Sequence, residues 1–398
     1  MERIIEQYRR RIAATSQKFI RSIADTIAWD ARLVGIRGAR GVGKTTLLLQ
    51  HIAQTFRNNL NAALYASLDN LWFADHSLIE LADNFAKQGG THIFLDEVHK
   101  YPQWSQAVKN IYDDYPDLHI VFTGSSLLEI LNARADLSRR AVLYTMQGLS
   151  FREFLNLQTE KNFPVISFQE LLHNHEELAV EIVTQVHPFQ YFFDYLQTGY
   201  YPYFLEGIDV YPQRLEETVQ MILELELPQL RGIEIAYIPK LKLLLRSISE
   251  SAPFIPNISK LSERIGINRH TLLRYLQYLH EAKLILCLYR DVHGISALQK
   301  PDKLYLENTN LMYLLKNVQP DIGTIRETFL ANQLSYEHEL EYSEVGDFLV
   351  DGRFTIEVGG KNKTRAQIKT VPDAYIAADN LEYGHDRKIP LWMFGFLY

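Results

Sequence analysis

Gly38 is followed by four residues and then by Gly43-Lys44-Thr45, inside a stretch, LVGIRGARGVGKTT, that opens on apolar Leu33, Val34 and Ile36 and runs on into Leu47-Leu48-Leu49. An apolar run, a glycine-rich turn and a second apolar run read as a buried strand, a loop and the first turns of a helix. In that context G-x-x-x-x-G-K-T is a phosphate cradle. Glycines at 38, 41 and 43 let backbone N–H groups turn inward, and a helix opening near Lys44 points its positive dipole end at the same anion. Gly38, Ala39, Arg40, Gly41, Val42, Gly43, Lys44, Thr45 and Thr46 are thus expected to hold ATP, with Lys44 on the β and γ phosphates and Thr45 on Mg²⁺.

The following residues alternate in the same way. Ala62 to Leu68 reads as a second strand, His76 to Ala86 as a helix, and Thr91 to Glu97 as a strand ending in paired carboxylates. After a phosphate loop this is the Walker B arrangement: Asp96 stands where Mg²⁺ binds, and Glu97 can polarise the attacking water as general base. A helix over Trp104 to Tyr112 leads to a strand over His119 to Thr123. At its end Ser125 or Thr123 is a candidate sensor of the γ phosphate, while capping of a helix over Leu127 to Leu131 by Ser125 or Ser126 is the alternative. Arg139 and Arg140 then precede a strand over Ala141 to Tyr144. Either arginine could complete the charge clamp on the γ phosphate, in its own subunit or in a neighbour's; a solvated basic turn is the other reading.

Taken together, the phosphate loop, the hydrophobic run into Asp96-Glu97, Thr123-Gly124-Ser125-Ser126, and Arg139-Arg140 ahead of Gly148-Leu149-Ser150-Phe151-Arg152-Glu153-Phe154 resemble the AAA-related P-loop ATPases of bacteria and archaea that carry a C-terminal domain of unknown function. The resemblance covers nearly the whole chain and implies a fold more than a biological role. Relatives usually place a glycine before the arginine, where this chain has Arg139, so which arginine acts stays open.

The chain has 398 residues, 47% of them apolar and 22% charged, which is the balance of a globular protein of two or three domains. With a formal charge of −7, contact with nucleic acid would need a local basic patch. Cys287 is the one cysteine, so an internal disulfide and a cysteine-rich zinc site are excluded. No apolar run is long enough for a membrane span and no signal-type apolar region opens the sequence, so a cytoplasmic location is expected. Arg3, Arg9, Arg10 and Arg11 are interleaved with Glu2, Glu6 and Ile12 as in an amphipathic helix.

The fold class expected is α/β: a P-loop NTPase domain with a parallel sheet over 1–149, a helical lid over 150–253, a winged helix over 254–308 and an α+β restriction-endonuclease-like domain over 309–398. In the lid, candidate helices cover Phe189 to Gln197, Arg214 to Glu226 and Tyr237 to Ile248. Tyr195, Tyr200, Tyr201 and Tyr203 are read as core, with stacking on bases as the alternative. His173 and His175 are placed at the surface. Beyond the lid, Ile258, Leu261 and Ile265 share one helix face, Gly266 ends that helix, Asn268 caps the next, and Leu272, Leu273, Leu276 and Leu279 form its stripe. This is helix-turn-helix spacing, followed by strands over Leu284 to Tyr289 and Lys303 to Leu306 with a turn at Val292-His293-Gly294. Lys260, Arg264, Arg269, Arg274, Lys283 and Arg290 against Glu263 and Glu281 give the unit a basic excess, and Arg269, His270 and Arg274 would meet DNA. Contact with a protein partner, or packing inside the chain, is the competing use.

Near the C-terminus, Glu327 opens a helix and GDFLV-DG-RFTIEV reads as a hairpin. Asp347 and Glu357 share a face only if the turn holds an odd number of residues. With Glu327 they resemble the acids that hold Mg²⁺ in restriction-endonuclease-like nucleases, where a lysine supports the attacking water. Gly359 stands in that lysine's place, leaving Lys361 or Lys363 to reach back, with Gln367 on a following helix. An ATP-driven switch is the leading expectation, with an ATP-dependent DNA-processing nuclease and an ATP-regulated scaffold, oligomeric or not, as alternatives.

Overall fold

The computed structural model describes residues 2–124, 137, 139–290, 299–316 and 318–398. The chain divides into two compact units, Met1–Gly148 and Leu149–Tyr398. Four domains were expected; the second unit holds the lid, helix-turn-helix and C-terminal stretches together.

The first unit contains α1 (Glu2–Ala14), β1 (Leu33–Gly38), α2 (Lys44–Thr55), β2 (Ala63–Ser67), α3 (Leu78–Lys87), β3 (His92–Asp96), α4 (Trp104–Asp114), β4 (His119–Gly124) and β5 (Val142–Met146). All five strands are parallel, in the order β2-β3-β4-β1-β5. Parallel strands need helices on the sheet's faces and read as continuous apolar runs, and Leu33, Val34, Ile36, Ile93, Phe94, Leu95, Ile120, Val121 and Phe122 are all buried. Such a sheet gathers its functional loops at the carboxyl ends of the strands. Gly38 ends β1 and Asp96 ends β3 on that edge, with β4 between them.

The second unit begins with α5 (Phe151–Thr159), whose Ser150 and Glu153 form a reciprocal capping box. α6 (Phe168–Val183) follows, then α7 (Phe189–Asp194) running into a π turn at Tyr195–Gly199, α8 (Tyr211–Met221) and α9 (Ile238–Ser251). The tail of the chain closes over the start of the unit: the Tyr398 carbonyl accepts from Ser150 at 2.7 Å and from Arg152 at 3.0 Å. Tyr195, Tyr200 and Tyr201 are buried. Asn310 accepts from the Tyr200 amide at 2.9 Å and donates to the Tyr195 and Leu196 carbonyls, while Asn308 donates to the Tyr201 hydroxyl at 3.2 Å. These rings are core, and base stacking is set aside. His173 is exposed as expected, but His175 is buried, and a Cβ on Gly384 would come within 2.3 Å of its ring. Its position in the α6 stripe with Leu171, Leu172 and Ala179 explains the error: a histidine at core spacing follows its helix face.

α10 (Ile258–Ile265) and α11 (Arg269–Glu281) then pack together, Gly266 ending the first at φ +70° and the Asn268 side chain accepting from the Thr271 amide. β6 (Ile285–Leu288) and β7 (Lys303–Leu306) pair antiparallel. The expected turn at Val292-His293-Gly294 lies outside the described residues. After α12 (Thr309–Leu315) and α13 (Ile322–Leu334), a five-stranded sheet has the order β12-β11-β10-β9-β8, formed by β8 (Leu340–Tyr342), β9 (Phe348–Val350), β10 (Phe354–Gly360), β11 (Ala374–Asp379) and β12 (Lys388–Pro390). β8, β9 and β10 are antiparallel neighbours, whereas β10, β11 and β12 run parallel. The connection carrying Gln367 is a series of turns, not the helix expected. Among the described residues no helix is long and apolar enough to cross a membrane.

Candidate functional site

β1 delivers the chain to Gly38 at the carboxyl edge of the sheet. A Cβ there would lie 2.2 Å from the Met146 carbonyl oxygen, so only glycine lets the loop leave the sheet this close to β5. Gly41 and Gly43 take φ of +84° and +99°, which curls the loop back into α2. Lys44 is buried, and its ammonium donates to the Gly38 carbonyl at 2.9 Å and the Ala39 carbonyl at 2.8 Å. The cation is therefore held at the loop that the α2 N-terminus also polarises.

Across from it, Asp96 is 1% exposed and its carboxylate is surrounded by hydrogen-bond donors. Thr45 donates to Oδ2 at 2.6 Å and Tyr65 to the same oxygen at 2.8 Å, while Thr123 and, at 3.1 Å, the Glu97 amide donate to Oδ1. Thr123, one of the two candidate sensors of the sequence reading, donates to Asp96 in this structure. Ser125, Ser126 and the helix over Leu127 to Leu131 lie outside the described residues. The Thr45 hydroxyl and Asp96 carboxylate form an all-oxygen pair at the mouth of the loop, the donor chemistry that Mg²⁺ takes when phosphate and water complete its shell.

Glu97 breaks from β3 in the left-handed region, at φ +53°, which turns its side chain out of the strand's alternation. His99 Nε2 lies 3.5 Å from Glu97 Oε2. Burial, then the cations Lys100, Lys44 and Arg40, pushes His99 down to about 3, so the ring is neutral at physiological pH. Arg140 is bound elsewhere: its guanidinium forms two bonds of 3.1 Å with Asp113 at the end of α4. Arg139 and Arg140 precede β5, whose Val142 pairs with Val34 near the start of β1. That is the amino edge of the sheet, four residues or about 13 Å from Gly38 at about 3.3 Å per residue.

Sequence reading missed the groups that brace this site. Arg21 is buried and donates to the Val42 carbonyl at 2.8 Å and to the Gln147 and Gly148 carbonyls at 2.8 and 2.9 Å, tying the phosphate loop to the end of β5. Tyr65 reads as an ordinary strand aromatic until its hydroxyl is seen on Asp96.

The acids of the second unit do assemble. Residues 351–353 make a three-residue turn, with Asp351 and Gly352 at φ +51° and +63°, and Val350 pairs with Phe354. That odd count sets Asp347 opposite Glu357 on one face. Asp347 accepts from the Val358 amide at 2.7 Å. Burial, then the Glu327 carboxylate, pushes Asp347 up to about 6, with Glu357 adding to the rise. Lys363 is the lysine that reaches back: it pairs with Glu357 and donates to Gln367 at 3.0 Å, while Lys361 is exposed. Glu327 is met by Lys303 at 2.7 Å and by the Tyr305 hydroxyl at 3.0 Å, two partners that sequence reading did not find. Among the described residues no group of three His, Cys, Asp or Glu side chains is arranged to hold a metal ion, so the expected Mg²⁺ ligand set of Glu327, Asp347 and Glu357 is not formed.

The basic patch is thinner than its composition. Arg264 pairs with Glu250, Lys283 with the buried Glu307, and Arg290 with Glu344. Arg269, His270 and Arg274 are exposed at the start of α11, and among the described residues Arg269 and Arg274 have no carboxylate within ion-pair distance. Arg274 leans on Tyr278, donating to its hydroxyl at 3.1 Å.

Residues 30–155 match the family model described as AAA domain, and residues 189–322 match a domain of unknown function (DUF8612). The matched residues 30–155 carry an AAA-related P-loop ATPase fold. No curated protein matches the sequence. Among solved structures, the Walker-type ATPase PABY2304 of Pyrococcus abyssi is 13% identical, covering 76% of this chain and 97% of its own at a TM-score of 0.43. AMPPCP-bound DnaA from Aquifex aeolicus is 13% identical over 68% of this chain and 93% of its own, with a TM-score of 0.31. PCH-2 of C. elegans is 16% identical over 70% and 66%, with a TM-score of 0.25.

Proposed function

We propose that this protein is an ATP-binding and ATP-hydrolysing switch that acts on DNA or on a protein partner through its second unit. The observation carrying the proposal is the convergence of Lys44, Thr45 and Asp96 at the carboxyl edge of the parallel sheet, with Thr45 and Asp96 2.6 Å apart. In this reading the loop amides and Lys44 hold the β and γ phosphates, and Thr45 and Asp96 hold Mg²⁺, which when bound neutralises charge on the phosphates. Glu97 orients a water for in-line attack and takes its proton. Arg139, exposed at the opposite sheet edge, suits a neighbour's site better than its own, which makes an oligomer part of the proposal. Titration calorimetry with Mg·ATP tests the core of it: uptake at micromolar dissociation constants is expected, and no heat from ATP or GTP overturns it.

For the second unit, α10, α11 and the β6–β7 pair support a winged helix, and Arg269, His270 and Arg274 support its contact with DNA. The order of β8 to β12 and the Asp347–Glu357 juxtaposition support a restriction-endonuclease-like end. Because Lys303 and Lys363 each occupy one of its acids, a non-cutting end used for binding is the reading favoured over a working nuclease. Incubating the protein with plasmid DNA and Mg²⁺ or Mn²⁺ decides between them: intact plasmid is expected, and metal-dependent nicking that disappears in Asp347→Ala reverses the preference.

A further inference from the structure

Residues 1–29 precede the stretch matched by the AAA domain model, yet they make contacts that converge on the candidate phosphate site. Gln50 on α2 donates to the Ser16 and Phe19 carbonyls at 2.7 and 2.8 Å, and Arg21 reaches the Val42 carbonyl in the loop itself. The most direct route starts on α1. Arg11 Nη1 donates to Tyr65 Oη at 2.9 Å, and Tyr65 Oη donates to Asp96 Oδ2 at 2.8 Å, the oxygen that also accepts from Thr45.

We propose that Tyr65 is a positioning residue for the Asp96 carboxylate, and that Arg11 sets the Tyr65 hydroxyl, so that docking of α1 governs how tightly the site takes a divalent cation. The proposal rests on the reading of Thr45 and Asp96 as the Mg²⁺ site.

Hydrogen-bond chemistry fixes the polarity of this chain of contacts. A guanidinium has donors only, so the Tyr65 oxygen must accept from Arg11. Its single hydrogen is then left for Asp96, which as a carboxylate can only accept. A phenol keeps that hydrogen at neutral pH. Tyr65 and Thr45 on one oxygen, with Thr123 and the Glu97 amide on the other, leave the carboxylate no freedom to rotate. Such outer contacts typically change metal affinity about 10- to 100-fold when removed.

α1 is placed to control this contact because it lies along β2, the edge strand of the sheet. Its buried Ile4 and Tyr8 give it an apolar footing. Polar contacts pin it at both ends of the strand: Arg9 to Asn61 at 2.9 Å before β2, and Asn70 to Gln7 at 2.7 Å after it. A helix held this way cannot leave without withdrawing Arg11 from Tyr65.

The experiment titrates Mg²⁺ into the full-length protein saturated with ADP, for wild type, Tyr65→Phe, Arg11→Ala and the double variant, alongside ADP binding in EDTA and thermal melting by circular dichroism. Tyr65→Phe keeps the buried ring and is expected to weaken apparent Mg²⁺ affinity about 10-fold, with ADP binding in EDTA unchanged. Arg11→Ala is expected to give a smaller loss and to add nothing in the Tyr65→Phe background, as two members of one chain should. Wild-type Mg²⁺ dependence in a folded Tyr65→Phe protein overturns the proposal, as does a full additional loss from Arg11→Ala on top of it. Absence of ADP binding in the wild type with and without Mg²⁺ is a different failure, since it removes the nucleotide site itself and the positioning role with it.

Discussion

Asp96, buried at the end of β3 in the first unit, and Asp347, half-buried just ahead of β9 in the second, are both acids placed by a strand, but their neighbours treat charge in opposite ways. Asp96 is held by three hydroxyls and an amide, all neutral donors that orient the carboxylate without cancelling it. Asp347 receives one amide and faces Glu327 and Glu357, whose charges are met by Lys303 and Lys363. Neutral donors preserve attraction for a cation, whereas lysines at ion-pair distance remove much of it. Three acids gathered in one place therefore need not make the better metal site.

The comparison breaks most visibly at Glu97. Glu97→Gln should keep Mg·ATP uptake and lose turnover by about 10²- to 10⁴-fold, the usual span for a positioned proton acceptor. Steady-state hydrolysis at the wild-type rate would take that role from Glu97. Lys44→Ala should come next, weakening Mg·ATP binding by about 100-fold, or about 2.7 kcal/mol, in the same calorimeter. An unchanged dissociation constant would mean the ammonium serves only the loop carbonyls it touches.

On the other side of the comparison, Asp347 should show itself through pH. Its pKa rises from 3.8 to about 6 in the folded protein, so between those values the native state binds more protons than the unfolded chain. Stability contributed by this group is then greatest below about pH 4 and falls as pH rises through 6. Asp347→Asn should remove that downward slope and raise the denaturation midpoint at pH 7 relative to pH 4.5. An equal slope in the variant would show that the acid cluster is not charge-strained. The smallest effect is expected at α11, where Arg269→Ala and Arg274→Ala together should weaken duplex DNA binding a few-fold and lower the salt slope by about one per lost phosphate contact.

Sequence was most readable where spacing itself is the chemistry. G-x-x-x-x-G-K-T and the run into Asp96-Glu97 need only a strand before them, and β1 and β3 end where those motifs require. The ends of α10 and α11 were equally legible because Gly266 and Asn268 are local signals. Long-range pairing was not. That Arg264, Lys283 and Arg290 spend their charges on Glu250, Glu307 and Glu344 depends on tertiary neighbours, so counting residues overstated the basic patch. Lys303 reaches Glu327 from a strand 24 positions earlier, and Arg11 reaches Tyr65 across 54. Arg139 and Arg140, offered by the sequence to a site in their own subunit or in a neighbour's, stand just ahead of β5, and in a parallel sheet that is the edge away from the phosphates.

The turn at 351–353 carries a last consequence. Its parity decides which side of the β9–β10 ribbon Glu357 shows, because neighbouring side chains on a strand point opposite ways. A slip of β10 against β9 by one residue would carry Glu357 to the far side and bring Ile356 or Val358 round in its stead, while a slip of two would leave it on its present side. The pairing of the two acids is thus guarded by arithmetic rather than by affinity, and a hairpin of this kind can gain or lose its charged face in a single step of register without altering any of the residues that form it.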